Sequence, residues 1–328
     1  LDALADTQFE TVFALDSVNV GPKHWADLAT RIHHGIRDDA FDGFVIAHGT
    51  DTLAYSASAV AFALGPALDR PVVFTGAQTT PDVLHGDARI NMIRACRIAT
   101  ADELTEVAIL FGSRVLRAVR AQKSDERAFD GFDSPTCDPL AVVMEFVEWS
   151  RGSLRQPSGG VIDLKCQFAD RILMSQRTPG LEPDFFLRSL DGYELPPDPA
   201  RGRSAPKKVP PCRGVIIQTL GAGNVTSVED YSFIDFVSEA TSRDIPALIT
   251  SPFPWRRGPD QKFAPLKGAV EAGGIPTGFM TAAAAATKLR WALAQPETPT
   301  GSGGVVERIR SIFQQNLVGE LDDPTPSM

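Results

Sequence analysis

The chain lacks long apolar runs and lacks an excess of positive charge. No stretch of about 18 apolar residues occurs among its 328 residues, so the sequence predicts no membrane-spanning helix. Lys and Arg number 32 against 41 Asp and Glu, which gives a formal net charge of −9. That balance argues against nucleic acid or an anionic membrane as the main partner, although it leaves room for a local basic patch.

Cysteine is scarce as well, and common catalytic signatures are missing. Four scattered cysteines without metal-type spacing favour ordinary thiols over a disulfide frame or a zinc site. No Gly-x-Ser-x-Gly turn of a serine hydrolase is present. No Gly-rich phosphate loop follows a predicted strand, so a nucleotide-binding α/β protein is the weaker alternative.

What is present is typical of a globular α/β protein. Apolar residues make up 43% of the chain and charged residues 22%, and the length suits two domains. Strands and helices alternate at short intervals, which predicts a doubly wound, mainly parallel sheet. We expect a larger N-terminal catalytic α/β domain over 1–191 with its first strand missing, a Pro-rich linker or insertion over 192–211, and a smaller C-terminal α/β domain over 212–328.

Local patterns place the individual elements. Short apolar runs predict strands at 10–14, 44–47, 71–75, 107–111, 214–218 and 246–250. Apolar residues at helical spacing predict helices that begin at Pro22 and that span 53–64, 86–101, 231–241 and 281–295.

The turn at 48–52, His-Gly-Thr-Asp-Thr, is the most informative segment. It joins a predicted buried strand to a predicted helix, and such turns lie at the carboxyl edge of a parallel sheet, where α/β enzymes place their chemistry. Helix N-terminal N–H groups there can stabilise a carboxylate or an oxyanion. Thr or Asp before a helix is also typical of a simple cap, so this pattern leaves both interpretations of Thr50 and Asp51 open.

Lys123 is a candidate partner for Thr50. A threonine hydroxyl near neutral pH needs a base to act as a nucleophile, and lysine can serve where burial or a neighbouring charge lowers its pKa. Lys123 lies in a loop that follows an apolar strand. A lysine in a loop is more often a solvated surface charge, and that alternative stands beside the catalytic one.

Taken together, nine segments resemble the bacterial-type L-asparaginase family in order and spacing over nearly the whole chain. They are 16–17, 22–25, 48–55, 75–78, 86–91, Lys123, 129–135, 220–224 and 279–289. The segment at 48–52 is the most specific of them. The details are nearer the cytoplasmic type I branch, which implies a cytoplasmic location.

The resemblance implies an amidohydrolase that converts L-asparagine and water into L-aspartate and ammonia through a threonine-based acyl-enzyme, with no metal and no cofactor. By position, it implies that Thr50, Asp51 and Lys123 are catalytic. It also implies a small-molecule substrate and a homodimer or dimer of dimers. The residues that it places around the substrate are Asp16, Ser17, Ala77, Gln78 and, from a neighbouring copy of the chain, Asn224.

The chain departs from the family in several places. The family has a second essential threonine in a strand that ends Thr-Gly-Gly-Thr-Ile, and the 328 residues do not contain this motif. Residues 1–5 look like the end of a helix, so we expect that threonine to precede them; an inactive paralogue is the alternative. No cysteine stands at 250–255, where regulated type I enzymes have one, and this predicts non-cooperative kinetics. Alanines at 282–286 replace an acidic residue of the family.

Three other functions stay open. A glutaminase-asparaginase is one alternative, because one methylene is weakly discriminated, by about 1–3 kcal/mol. The relatives of the family also include an amidotransferase component that releases ammonia for tRNA-dependent amidation, with an added domain and a partner protein. A non-catalytic amino-acid-binding paralogue is the alternative from another functional class.

Overall fold

The computed structural model describes residues 5–38, 40–221, 223–253, 264–296 and 303–322. The chain divides into two compact units. The larger unit comprises Leu1–Phe168, Phe279–Gln295 and Asn316–Met328, and the smaller comprises Ala169–Gly278 and Pro296–Gln315. Within the described ranges, no helix combines the length and apolarity that crossing a membrane requires.

The larger unit contains four helices and eight strands in its described part. Its helices are α1 (Pro22–Arg37), α2 (Leu53–Leu64), α3 (Ala88–Ala99) and α7 (Ala282–Ala294). Its strands are β1 (Phe44–Ala47), β2 (Val72–Thr75), β3 (Val107–Phe111), β4 (Arg114–Arg117), β5 (Gln122–Lys123), β6 (Phe132–Asp133), β7 (Ala141–Val143) and β8 (Val147–Trp149).

The smaller unit also alternates strands and helices. Its strands are β9 (Ile172–Gln176), β10 (Tyr193–Leu195), β11 (Lys207–Val209), β12 (Gly214–Gln218), β13 (Ala247–Thr250) and β14 (Ile275–Pro276). Its helices are α4 (Asp184–Asp191), α5 (Phe233–Ser242), α6 (Ala264–Glu271) and α8 (Val305–Phe313).

The main sheet of the larger unit has the order β1-β2-β3-β4-β7-β8. β1, β2 and β3 run parallel, with Ala47 opposite Thr75 at the carboxyl end of the first pair. α2 and α3 connect these strands, so the predicted α/β architecture is confirmed. β4, β7 and β8 extend the sheet with antiparallel pairing, which the sequence did not predict.

α2 is buried on almost its whole circumference. Every residue except Tyr55 is buried, so it is an internal helix rather than an amphipathic one. Its alanines allow close packing against α1 and α7. The buried hydroxyls have partners: Trp25 Nε1 donates to Ser56 Oγ (3.0 Å), and Ser58 Oγ donates to the Ala118 carbonyl (3.2 Å). The turn before α2 is therefore attached to the rigid centre of this unit.

The end of the described chain returns to the larger unit. Lys288 on α7 donates to Glu320 (2.5 Å), and both side chains are completely buried. Glu320 also accepts hydrogen bonds from the backbone N–H groups of Leu317 and Val318. α7 packs on α2. This grouping differs from the boundaries expected from sequence, which assigned all of 212–328 to one C-terminal domain.

The smaller unit has a four-stranded parallel sheet with the order β14-β13-β12-β9. α5 buries Phe233 and Phe236 against it. The Pro-rich stretch at 192–211, expected to be a linker or insertion, contains the antiparallel pair β10–β11.

Two other local predictions have different outcomes. Residues 10–14 were predicted to be a strand, but the structure has no strand between residues 5 and 16. Phe9 and Val12 are exposed there, so their side chains add no sheet face to the core. The predicted helix end at 1–5 falls almost wholly on residues 1–4, which lie outside the described part.

Candidate active site

The turns that follow β1 and β2 meet at the carboxyl edge of the parallel strands. His48 N donates to the Thr75 carbonyl (2.9 Å), which continues the ladder beyond the last strand residues. Gly76 then passes so close that a Cβ there would lie 2.4 Å from the His48 carbonyl oxygen. A side chain at position 76 would force these two turns apart.

The β1 turn also contacts the short 3₁₀ helix Ser17–Asn19. Thr52 Oγ1 donates to the Ser17 carbonyl (2.7 Å). A Cβ on Gly49 would lie 2.7 Å from Ser17 Cβ and Oγ, so only glycine allows this approach. Asp16 caps the same short helix by accepting from Val18 N (3.2 Å). The structure thus brings Ser17 directly against the turn and places Asp16 beside it in sequence.

Lys123 joins this turn from β5. Its Nζ donates to Thr50 Oγ1 (2.8 Å) and to Asp51 Oδ1 (2.8 Å). A second acid, Glu126, has Oε2 at 2.7 Å from the same nitrogen. The three residues predicted as catalytic therefore form one connected group, to which Glu126 is added.

The pKa of Lys123 is shifted in the direction opposite to the one expected for a ready base. Partial burial lowers this pKa, but the hydrogen bonds and negative charges of Asp51 and Glu126 together outweigh burial, so the pKa is raised. Lys123 is an ammonium in this arrangement. It polarises Thr50 as a hydrogen-bond donor, and it can accept a proton only after a change in its surroundings.

The helix-cap interpretation of the turn is not supported by the geometry. Thr52 is the residue before α2, and its side chain makes no capping hydrogen bond. Its hydroxyl donates instead to Ser17, and the carboxylate of Asp51 accepts from Lys123. Both polar side chains are thus committed to partners outside α2.

Gln78 supports a neighbouring loop. Its Nε2 donates to the carbonyls of Asp125 (3.1 Å) and Ala128 (3.3 Å), and both residues belong to the loop after Lys123. Ala77 precedes it in the β2 turn and is half-buried. The predicted pocket residues 77 and 78 are thus beside the loop that carries Glu126.

Asp87 is a structural residue of the site that the sequence did not reveal. It directly precedes α3, yet its side chain makes no capping bond to that helix. Its buried carboxylate accepts from Gln78 N (2.9 Å), Thr79 N (3.1 Å) and Asn91 Nδ2 (3.3 Å). Asn91 donates as well to the Gly76 carbonyl (2.9 Å). The spacing of Asp87 and Asn91, four residues apart on a helix, was the available signal.

His48 is a neutral neighbour of the centre. Its Nδ1 lies 2.7 Å from the Gly49 carbonyl, which fixes that nitrogen as the donor. Burial lowers its pKa, against a smaller opposite effect of that hydrogen bond. Its buried Nε2 has no hydrogen-bond partner among the residues that the structure describes. We assign it no proton-transfer step.

Asn224 belongs to the smaller unit. It closes a tight turn after β12, where its backbone exchanges hydrogen bonds with Leu220 (3.0 and 3.2 Å). Its contribution to a substrate site stays a prediction. The segment 250–255, in which regulated type I enzymes have a cysteine, is described only at residues 250–253. Residues 254 and 255 lie outside the described part.

Comparison with known proteins gives the context of this geometry. A family model described as "Asparaginase, N-terminal" matches residues 1–155, and one described as "Glutaminase/Asparaginase C-terminal domain" matches residues 198–302. Together they cover more than half of the chain. The chain belongs to the asparaginase family.

Individual members of the family are similar to this chain over almost its whole length. The chain is 30% identical to a glutamyl-tRNA(Gln) amidotransferase component of Thermofilum pendens, over 98% of this chain and 67% of that one. The L-asparaginase of Thermococcus kodakarensis has a TM-score of 0.78 and 27% identity, covering 94% of this chain and 84% of its own. L-asparaginase I of Vibrio cholerae has a TM-score of 0.76 and 26% identity, with the same coverage of 94% and 84%. Family membership supports an amidohydrolase.

Proposed function

We propose that this asparaginase-family protein hydrolyses the side-chain amide of L-asparagine to give L-aspartate and ammonia. The observation that carries the proposal is the contact of Lys123 Nζ with both Thr50 Oγ1 and Asp51 Oδ1, each at 2.8 Å. A hydroxyl that is hydrogen-bonded to a lysine, which is itself held by a carboxylate, can transfer protons in amide hydrolysis. This group lies just before the N-terminus of α2, and we assign the stabilisation of an oxyanion to the backbone N–H groups of that turn.

The chemistry requires two additions to the amide carbon. A threonine hydroxyl adds first and its proton is taken up by a base; the C–N bond then breaks, and the nitrogen leaves as ammonia after receiving a proton. Water adds to the resulting ester, the C–O bond breaks, and the threonine regains its proton. We assign Thr50 and Lys123 to proton transfer in these steps, and Asp51 to holding Lys123 in place. The first attack belongs to the family's other threonine, whose motif is not among the 328 residues.

Substrate selection is assigned to the residues around this group. In the proposal, Asp16, Ser17 and Asp51 bind the α-amino and α-carboxylate groups of the amino acid. Ala77 and Gln78 line the amide end. Asn224 completes the site of a neighbouring copy, which makes the active protein a homodimer or a dimer of dimers. The scheme uses no metal and no organic cofactor, and the cytoplasm is the proposed location.

Ammonia release from L-asparagine by purified protein, with and without Thr50→Ala, tests the assignment. The variant loses orders of magnitude in turnover, because Lys123 then has no hydroxyl to exchange a proton with. Its fold is retained, since the lost methyl and hydroxyl are only partly buried. Ammonia release near the wild-type rate from Thr50→Ala would refute the assignment.

An amidotransferase-type role is the second candidate, because relatives such as that of Thermofilum pendens are named as components of an amidotransferase. The two roles separate in a parallel assay with L-asparagine and L-glutamine. An asparaginase releases ammonia from asparagine at the higher kcat/KM. A glutamine preference that increases when a glutamyl-tRNA amidotransferase partner is added would support the second candidate instead.

A further inference from the structure

The ammonium of Lys123 has three N–H donors, and the structure supplies three acceptors. Thr50 Oγ1 and Asp51 Oδ1 take two of them, and Glu126 Oε2 lies at 2.7 Å for the third. Thr50 and Asp51 belong to the turn that is fixed to α2 and to Ser17. Glu126 comes from the loop after β5, and 77% of its side chain is exposed.

The loop itself is well ordered by internal hydrogen bonds. Asp125 Oδ1 accepts from the backbone N–H groups of Arg127 (2.6 Å) and Ala128 (2.8 Å). Ser124 N and Asp125 N both donate to the Gly131 carbonyl. Gln78 Nε2 binds the loop from the β2 turn. The backbone thus directs Glu126 toward Lys123, while its side chain stays free to exchange with water.

An ammonium has no lone pair and cannot accept a proton, although the proposed hydrolysis needs Lys123 to take one from Thr50. We propose that Glu126 is a positioning residue that holds the Lys123 ammonium in a closed resting state. When the Glu126 contact opens, the ammonium gives its third proton to water, and the neutral amine then accepts the proton of Thr50. The inference rests on the proposed function and adds to it a residue that lies between two of the segments that resemble the family. Of the two carboxylates, Glu126 is the releasable one, because Asp51 is held by the turn.

The other titratable groups near Lys123 form hydrogen bonds or ion pairs with other partners. Asp125 caps its own loop, and Asp87 accepts from the β2 turn. Asp133, next to the strand partner of Lys123, is paired with Arg114 (2.9 Å). His48 is neutral and bonded to Gly49. The charge that faces Lys123 therefore comes from Asp51 and Glu126, and of these only Glu126 can be removed without altering the substrate turn.

The first test is the Glu126→Gln variant. Losing the negative charge increases the neutral fraction of Lys123 by the same factor at every pH well below its pKa. In the pH range where the rate increases with pH, we expect kcat/KM for asparagine to rise about two- to fivefold. This factor corresponds to the free energy that an exposed ion pair typically contributes. Glu126→Asp, which keeps the charge, lies between the variant and the wild type. The control is Glu148→Gln, an equal charge loss at an exposed position of β8, which leaves the rate unchanged.

The second test measures Lys123 directly and needs no turnover. In protein with ¹³C-labelled lysine, NMR titration of the Lys123 ε-carbon, assigned with Lys123→Arg, shows a lower pKa in Glu126→Gln than in the wild type. An unchanged titration, or a fall of kcat/KM in Glu126→Gln, would overturn the role of Glu126. A wild type that binds asparagine but releases no ammonia would refute the proposed function, whereas the titration would still report on the pair.

Discussion

Lys123 and Lys288 both form ion pairs in the larger unit, but their surroundings differ. Lys288 and Glu320 are completely buried, and burial lowers the pKa of Lys288 more than Glu320 raises it. Lys123 keeps 17% of its side chain exposed, and its two carboxylates raise its pKa despite partial burial. One lysine is therefore held in a dry core and the other at a wet edge of the sheet.

This difference in burial distinguishes an ion pair that stabilises the fold from one that can take part in a reaction. A buried pair cannot lose one partner without leaving an uncompensated charge in the core, so it fixes the chain end at 316–322 to α7. At the sheet edge, water can replace a lost partner, so an ion pair there contributes little to stability and can be opened. Only the second arrangement leaves the lysine within reach of water, so that its contacts can change during a reaction.

The largest expected effect is the loss of turnover in Lys123→Met. Without the ammonium, Thr50 has no proton-transfer partner, and we expect kcat/KM for asparagine to fall about 10²–10⁴-fold. Thermal unfolding changes little, by at most about 1 kcal/mol, because the lost ion pairs are at the surface. Lys165→Met is the matched control, since Lys165 pairs with Asp163 at an exposed site. Retained activity in Lys123→Met would exclude this lysine from the chemistry.

The next effect is on stability and concerns the buried pair. Glu320→Ala removes the buried carboxylate that accepts from Lys288 and also deprives the backbone N–H groups of Leu317 and Val318 of an acceptor. We expect a loss of about 3–5 kcal/mol in the free energy of unfolding, measured by urea denaturation. The double variant Lys288→Met/Glu320→Leu recovers part of this loss, because apolar side chains then replace both charges of the pair. A loss below about 1 kcal/mol in Glu320→Ala would show that the pair is not essential to the fold.

The sequence predicted the elements around the site well because their signals are local. The apolar runs of β1 and β2 and the Gly-Pro end of α2 fix their limits to within a residue. The predicted strand at 10–14 is absent: Phe13 packs against a small core cluster around Trp25, but Val12 is exposed and the segment pairs with no strand. The pairing of β7 with β4 and the return of 316–322 join residues far apart in the chain, for which no local pattern exists.

The candidate site was predictable to a similar extent. Thr50, Asp51 and Lys123 were singled out by motif order, and the structure joins them through Lys123 Nζ, which lies 2.8 Å from an oxygen of each of the other two. Glu126 and Asp87 were missed, because the direction of a side chain in an irregular loop, or toward a preceding turn, does not follow from its spacing. The raised pKa of Lys123 was missed for the same reason, since Glu126 is one of its causes.

A smaller effect is expected from Asp87→Ala. The change leaves the backbone N–H groups of Gln78 and Thr79 without their acceptor, which costs about 1–3 kcal/mol. The β2 turn then loses its fixed position beside the amide end of the proposed site, so we expect KM for asparagine to rise about tenfold, by the same range of energy. Steady-state kinetics and thermal unfolding measure the two parts. Glu103→Ala, which removes an exposed acid of the same unit, is the control; an unchanged KM in Asp87→Ala would limit Asp87 to a role in stability.

The smallest effect is a pH dependence of opposite sign for the two lysines. The folded pKa of Lys123 is raised, so its stabilising contribution is complete below the unfolded value of 10.5 and is lost as pH rises through the raised pKa. The folded pKa of Lys288 is lowered, so the cost of its buried charge is complete below that pKa and is relieved as pH rises toward 10.5. The free energy of unfolding of the wild type is therefore compared with that of each variant, Lys123→Met and Lys288→Met/Glu320→Leu, from neutral pH to the alkaline limit of the fold. We expect the two differences to change with pH in opposite directions. The wild type gains on the double variant as pH rises and loses on Lys123→Met only at the alkaline end. Parallel curves would show that both lysines titrate as they do in the unfolded chain. The buried and the exposed ion pair would then not differ in how they change stability with pH.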